Sequence, residues 1–548
     1  MKSICKSAWL LAALSGLLQV LIFPRPNLVW LCWVALAPLL VALLRARRAD
    51  AAELLQSDSP SPLAPARAWQ GFWLGWLSGT IFYLGSCYWV YPVMHLFGGL
   101  PKSVSLLLLV LFSLYIGLHH ALFGVLVALA ARYGSSPRRA LLLAPFLWVA
   151  VELLRAYLVS FPWDLLGYTQ IDNLPLARLA SVTGVYGISF EIAVVNTVFA
   201  AAVLMPRRRR RPLLTAALTA AIALQSTALV RFEPATAEGR ATLVQQNVPI
   251  VREWSYESYR QLATELAAIS HPPQPAMAPQ VGPTQPSGRD SSLAPLIVWP
   301  ESPAPFVADD RIFVSTTRDL ARQQHAWLLA GATALQNPVH PGDEQLVFNS
   351  AVLVNPAGSQ VQRYDKVHLV PWGEYVPFSW AFGFAKALTH EVGVFTSGGR
   401  ERLPLDVGAH RYGVFICYES VFPQEVRQFA VHGAEVFINI SNDGWYGESG
   451  AAWQHLNMAR MRAVENHRWL LRSTNTGITA SIDPMGRVVA SAPRNQRLAL
   501  DAPYGLENDQ TFYTRYGDWF PLLCAIIAIT GLLWRERAAE HITQPVPV

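Results

Sequence analysis

Eight apolar segments, each close to the roughly 20 residues a helix needs to cross a bilayer, constrain this chain more than any other feature. They lie near residues 8–23, 27–45, 69–92, 104–131, 139–159, 179–205, 212–231 and 515–534. Backbone in hydrocarbon must satisfy its own hydrogen bonds, so the expectation is a polytopic helical membrane domain. The first two segments are separated only by Pro24-Arg25-Pro26, and the chain turns straight back. Lys2 and Lys6 precede the first segment as in a signal peptide. No small-residue cleavage site follows near Phe23, so a retained helix is expected.

Basic residues then set the topology. Clusters fall after the second segment (Arg45, Arg47, Arg48), the fourth (Arg132, Arg138, Arg139), the sixth (Arg207 to Arg211) and the eighth (Arg535, Arg537). With eight crossings they all land on one side, which the positive-inside rule makes the cytoplasm. The five consecutive arginines in a short loop read as a topology signal rather than a nucleic-acid patch, and no nucleic-acid partner is expected. The chain therefore divides into a membrane domain at 1–232 with spans one to seven and an outward, periplasmic catalytic domain at 233–513. Span eight follows at 514–537 and a loose cytoplasmic tail at 538–548. Asp50 to Pro65 reads as a linker between spans two and three.

The long polar stretch has a globular pattern. A strand-like run, Ala241 to Val248, precedes a helix-like stretch from about Ser255 to Ile269. A Pro-rich insertion follows near 271–295. Short apolar runs then recur at 296–299, 327–333, 348–354, 360–364, 412–417, 435–441, 469–474 and 488–491. Pro423 to His432 and Trp453 to Asn466 read as helices, the second with Met458, Met461 and Val464 towards one side. Asn355-Pro-Ala-Gly358 and Asp483-Pro-Met-Gly486 carry turn chemistry for hairpins. Such alternation predicts a layered α/β or α+β domain.

Of five cysteines, Cys32, Cys87 and Cys524 lie in spans and Cys5 near the inner face, leaving Cys417 alone in the polar stretch. It ends the run Tyr412 to Cys417 and cannot form a disulfide within that domain. Glu301 ends the run Leu296 to Trp299-Pro300-Glu301, and Lys366 stands in Tyr364-Asp365-Lys366-Val367-His368. Strand ends are where a sheet presents side chains to a shared crevice. A thiol, a carboxylate and an ammonium are the minimum equipment for acyl transfer through a thioester. Singly, a cysteine is more often a small buried apolar residue and the charges more often solvated. The flanking words decide otherwise: Trp299-Pro300-Glu301-Ser302, Lys366-Val367-His368-Leu369-Val370-Pro371-Trp372-Gly373-Glu374-Tyr375-Val376-Pro377, Ile416-Cys417-Tyr418-Glu419, Asn442-Asp443-Gly444-Trp445-Tyr446-Gly447 and Arg472-Ser473-Thr474-Asn475.

These words resemble the nitrilase (carbon–nitrogen hydrolase) superfamily. With eight spans around them, and with Phe161-Pro162-Trp163 and Gly167-Tyr168, the resemblance narrows to the membrane-embedded branch, the apolipoprotein N-acyltransferases of the Gram-negative inner membrane. It implies an α+β fold, a nitrilase-like αββα sandwich carried on the eight-span domain. It implies a triad of Glu301 as general base, Lys366 as cation for the oxyanion and Cys417 as nucleophile. Glu374 resembles a second essential carboxylate, Tyr418, Glu419 and Trp254 further site residues, and Trp372 and Trp445 members of substrate-facing loops. The implied reaction takes an acyl chain from a phospholipid, phosphatidylethanolamine by expectation. The acceptor is the N-terminal diacylglyceryl-cysteine of an apolipoprotein, and the chain acts as a monomer at the bilayer.

Two other readings compete. A membrane-tethered amidase would keep the triad, but a tether needs one span. A transporter or scaffold with a binding domain would leave the triad dispensable. Within the spans, Glu152 and Arg155 are three apart and expected to pair with each other or a neighbouring helix. His119, His120 and Glu191 are candidates for lining a lipid entry path, a structural hydrogen bond being the commoner role. The chain has no HExxH, no CxxC pair, no phosphate-binding glycine loop and no dinucleotide fingerprint. His455 and His467 have no metal-ligand spacing with a nearby Cys or acid. No metal and no cofactor are expected.

Overall fold

The computed structural model describes residues 2–49, 63–132, 137–233, 235–250, 253–271, 293–301, 306–338, 345–375 and 395–533. Most of the expected linker from Asp50, most of the Pro-rich insertion and the tail at 538–548 lie outside the described residues.

Among the described residues, four helices are long and apolar enough to cross a membrane: Lys102–Ala131, Pro137–Leu158, Val185–Leu204 and Arg210–Leu229. Shorter apolar helices cover Ser7–Leu21, Val29–Leu44 and Trp519–Leu533, and Ala68–Ser86 is a helix of 19 residues. The last packs against Lys102–Arg132 through glycines. A Cβ on Gly75 would meet the His120 carbonyl oxygen at 2.1 Å, so the two backbones touch only because none is there.

Two segments differ from the sequence expectation. The run at 27–45 is not one continuous α-helix but a 3₁₀ turn, Val29–Trp33, followed by a short helix, Ala37–Leu44. Pro38 stands in that helix's first turn, where its missing N–H costs nothing. The N–H groups at the break meet a residue far along the chain: Asn196 Oδ1 accepts from Leu36 N at 2.8 Å and from Ala37 N at 3.0 Å, the latter also reaching the Val34 carbonyl at 3.2 Å. Asn196 Nδ2 donates to the Cys32 carbonyl at 2.7 Å. The arginine pentad, expected in a loop, instead opens the helix Arg207–Ser226, because Pro206 starts the helix just before it.

The polar groups within the spans are mostly tied to one another. Arg155 donates to the Tyr83 hydroxyl on a neighbouring helix, while Glu152 Oε1 accepts from Trp148 Nε1 and Leu166 N, both at 3.0 Å. His120 Nε2 meets Gln19 Oε1 at 3.1 Å, and His119 Nδ1 the Ile116 carbonyl at 3.0 Å.

The remaining chain builds two six-stranded sheets. The first holds β1 (Gly239–Gln245), β2 (Leu296–Val298), β3 (Trp327–Gln336), β4 (Leu346–Val354) and β5 (Gln360–Asp365). The second holds β6 (Leu405–Val407), β7 (His410–Ile416), β8 (Val436–Ser441), β9 (Trp469–Thr474), β10 (Ala480–Ile482) and β11 (Val488–Ser491). β12 (Leu498–Tyr504) returns to the first sheet beside β1. The orders are β12-β1-β2-β3-β4-β5 and β11-β10-β9-β8-β7-β6. In each, three parallel strands at the centre (β1-β2-β3 and β7-β8-β9) are flanked by antiparallel ones. Gly358 and Gly486, at φ +81° and +79°, close the β4–β5 and β10–β11 hairpins, as the turn words predict.

Leu243, Val298 and Leu329 of the first sheet meet Val414, Ile438 and Leu471 of the second in one buried cluster, so the sheets face each other. Helices Tyr256–Ile269 and Arg311–Gln324 cover the far side of the first sheet. Ala451–Asn466 covers the second and has almost no solvent face. Leu456, Ala459 and Ala463 pack on the sheets, whereas Met458, Met461 and Val464 belong to the apolar core of the membrane helices.

The same helix carries charges into that junction. Arg462 and Glu465 are both fully buried and paired at 2.7 Å. Arg462 also donates to the Tyr168 hydroxyl and the Val421 carbonyl, each at 3.2 Å. Glu465 Oε1 accepts from Val185 N at 3.0 Å, capping the first turn of the helix Val185–Leu204. Glu465→Ala leaves a buried guanidinium without its counter-charge and a helix start without its acceptor. We expect a loss of about 3–5 kcal/mol, read as a lowered Tm of the purified protein in detergent; an unchanged Tm would refute the coupling.

Candidate active site

β7 delivers Cys417 to the crevice at the ends of the parallel strands. The chain turns there into a short 3₁₀ segment, Cys417–Val421, and Cys417 itself takes φ +49°. A non-glycine residue in the left-handed region is uncommon and held only by its surroundings. Glu301 follows β2 and Lys366 follows β5, so three strand ends from two facing sheets converge.

The carboxylates and the ammonium form a closed network. Lys366 Nζ lies 2.9 Å from Glu374 Oε1 and 3.3 Å from Glu301 Oε1. Asn349 on β4 donates its Nδ2 to both, at 2.8 Å and 2.7 Å. The outer oxygens are held by backbone: Asn442 N donates to Glu301 Oε2 at 2.8 Å and Val370 N to Glu374 Oε2 at 2.7 Å. Burial opposes the charge on Lys366, but Glu301 and Glu374 more than compensate and hold its pKa above the usual lysine range. It is a fixed cation. Burial pushes the Cys417 thiol up, and the Glu301 charge adds to that, while Lys366 and the Ser441 hydroxyl pull it down.

Glu419 serves a different purpose. Its Oε1 accepts from the Tyr364 hydroxyl and Val367 N, both at 2.8 Å, and from His368 N at 3.1 Å, while Oε2 accepts from Ile416 N at 2.8 Å. One carboxylate thus ties the segment that bears Lys366 to the turn that bears Cys417. Burial raises its pKa; Arg402 and these backbone donors counter the rise. Tyr418 joins the turn to the membrane helices. Its hydroxyl donates to the Ser160 carbonyl at 2.9 Å, and its ring stacks on Trp163 with centroids 6.5 Å apart.

The outlying tryptophans divide. Trp372, 40% exposed and at φ +65°, sits in the tight turn that brings Glu374 in. Trp445, 36% exposed, lies edge-on to Phe97 at 5.7 Å, across from the membrane half. Trp254 is half-buried against the outer core of the first sheet. His467 has no metal-ligand spacing in the sequence, and folding brings Glu507 and Asp509 beside it from about 40 residues on. That trio is at the surface and Arg468 shares Asp509, at 3.4 Å.

Comparison with known proteins agrees with this geometry. A family profile described as apolipoprotein N-acyltransferase N-terminal domain matches residues 15–198, and one described as carbon-nitrogen hydrolase matches residues 240–502. Apolipoprotein N-acyltransferase from Geobacter metallireducens is 34% identical, covering 97% of this chain and 96% of the relative. The chain belongs to the apolipoprotein N-acyltransferase family. Proteins of the same name from Shewanella oneidensis and Methylococcus capsulatus are 31% and 33% identical, covering 88% and 85% of this chain and 90% and 89% of the relatives. The carbon–nitrogen hydrolase fold and the membrane character of this apolipoprotein N-acyltransferase homologue follow from these matches and from the four long apolar helices.

Asn349 and His455 escaped the sequence reading as site residues, and Ser441, Asp443 and Arg472 stood in the motif words without a role; all five are drawn to the crevice. One signal was available: the central strands β8 and β9 are buried throughout yet carry Asn439, Ser441, Arg472 and Ser473. Polar residues there need partners.

The electrostatics give a test. A thiolate fraction that stays small predicts that iodoacetamide alkylation of Cys417 keeps rising with pH past about 9 without a plateau. Glu301→Gln removes a charge that raises the thiol's pKa, so the variant alkylates faster at a given pH. Peptide mass spectrometry over time reads both, and a plateau below pH 8 in the parent protein would refute the account.

Proposed function

We propose that this protein N-acylates the terminal diacylglyceryl-cysteine of apolipoproteins, using a membrane phospholipid, phosphatidylethanolamine by preference, as donor. The observation that carries the reading is the joint burial of Cys417, Lys366 and Glu301 beneath a turn tied to the membrane helices through Tyr418 and Ser160. Acyl chains of both substrates then reach the site without leaving lipid.

In the first half-reaction Glu301 takes the thiol proton as Cys417 Sγ bonds to the ester carbonyl carbon. Lys366 Nζ stabilises the oxyanion of the tetrahedral adduct. The C–O bond to glycerol breaks, the leaving oxygen receives the proton from Glu301, and a lysophospholipid departs. A thiol kept protonated by burial suits this sequence, since the base acts only as the bond forms. In the second half the acceptor's free α-amine attacks the thioester carbonyl. Glu301 takes its proton, the C–S bond breaks, and the proton returns to Cys417. Glu374 and Asn349 keep Lys366 and Glu301 in register throughout, and Trp372 and Trp445 stand where lids that exclude water belong.

The same reading takes the chain as an eight-span inner-membrane protein with the two-sheet domain, a nitrilase-like αββα sandwich at 233–513, on the periplasmic side, acting as a monomer. The basic clusters, which all fall on one side after eight crossings, support it.

Intact mass decides the chemistry. Incubation with phosphatidylethanolamine should add one acyl chain to the protein, removable by hydroxylamine and absent from Cys417→Ala. Adding a diacylated lipopeptide should discharge it as an amide on the peptide's N-terminus. No acyl adduct, with ammonia released from small amides instead, would replace this proposal with an amidase.

A further inference from the structure

Beneath the nucleophile, on the side away from Lys366, lies a second buried network. His455, on the helix that separates the sheets from the membrane core, is fully buried. Its Nε2 stands 3.1 Å from the Cys417 carbonyl oxygen and 2.8 Å from the Ser420 hydroxyl. Its Nδ1 lies 2.9 Å from Asp443 Oδ1 and 3.0 Å from Arg472 Nη2. Arg472 also donates to Asp443, at 2.7 Å to Oδ2 and 3.0 Å to Oδ1, and the Ser441 hydroxyl donates to Oδ1 at 2.8 Å. The ring is clamped between Trp163, stacked at 5.8 Å, and Tyr446, edge-on at 5.8 Å. Room for Asp443 depends on Gly477, where a Cβ would lie 2.3 Å from Asp443 Oδ2.

Proton counting gives the arrangement a direction. A carbonyl oxygen only accepts, so the contact with Cys417 attracts only when Nε2 carries a proton. Nδ1 faces both a donor and an acceptor and is satisfied in either state. With Nε2 protonated, the ring aims its N–H at the Cys417 carbonyl and the Ser420 hydroxyl, and Arg472 supplies the donor that Nδ1 then needs. The Cys417 carbonyl belongs to the residue at φ +49°, whose conformation its surroundings must hold.

We propose that His455, fixed by Asp443, Arg472 and Trp163, is a positioning residue that holds the Cys417 carbonyl and so aims the thiol at Glu301 and Lys366. It acts through the backbone of Cys417 and touches no substrate. Since Trp163 belongs to the membrane half, the aim of the thiol depends on how the two halves are docked. The proposal rests on Cys417 being the nucleophile.

Gln and Asn at position 455 separate positioning from mere packing. A glutamine places an N–H about where Nε2 stands, whereas an asparagine reaches only the Nδ1 side. His455→Asn should lower kcat about a hundredfold with the KM for phosphatidylethanolamine unchanged, and slow iodoacetamide alkylation of Cys417 in parallel. His455→Gln should recover most of both. Equal behaviour of the two variants, or parental alkylation in His455→Phe, would overturn the proposal. So would failure of every variant to accumulate as folded protein, which would make His455 a residue of the fold. Alkylation requires no acyl chemistry. If it follows the expected pattern while even the parent protein takes no acyl chain, the positioning role stands and the N-acyltransferase function falls.

Discussion

A helix with two buried faces holds this molecule together. Ala451–Asn466 closes the core of the sheets on one side and the core of the membrane helices on the other, so neither can move without opening an apolar surface. Its polar residues work within the same constraint. Glu465 caps a membrane helix, Arg462 spans the junction, and His455 reaches the Cys417 carbonyl. A charge in such a place is tolerated only with partners in good geometry, since an isolated buried ion costs several kcal/mol. Each of these side chains therefore fixes a distance between lipid-embedded and catalytic elements.

The site repeats that logic at smaller scale. Cys417 lies between two networks that share no side chain. One, through Glu301, Lys366, Glu374 and Asn349, faces the chemistry; the other, through Asp443, Arg472 and His455, faces the backbone. Glu419 stitches the strands that carry them. The polar residues of β8 and β9 are the means by which two buried sheets present charge at one point without leaving any of it to solvent.

Much of this was legible in the residues. Glu301 and Cys417 each follow an apolar run, because parallel central strands buried on both faces read as continuous apolar stretches; Lys366 follows β5, an antiparallel edge strand, and was marked by its flanking residues instead. Met458, Met461 and Val464 were visible as one side of a helix, though nothing local said that a membrane core would cover them. His455 stayed hidden for the same reason: its partners, Asp443, Arg472 and the Cys417 carbonyl, come together only across three elements. Strands as short as Leu405–Val407 and Ala480–Ile482 give three residues of pattern, too few to separate from a turn.

Asn196 carries a consequence of a different kind, one of timing. Its side chain finishes the start of a helix 160 residues earlier in the chain, at Leu36 and Ala37. During synthesis at roughly 5–20 residues per second, the ribosome needs on the order of 8–30 s to make the residue that closes that gap. For that interval the Leu36 N–H lacks the acceptor that closes the break, and the final shape of the second apolar segment belongs to a later stage of assembly than its place in the sequence suggests.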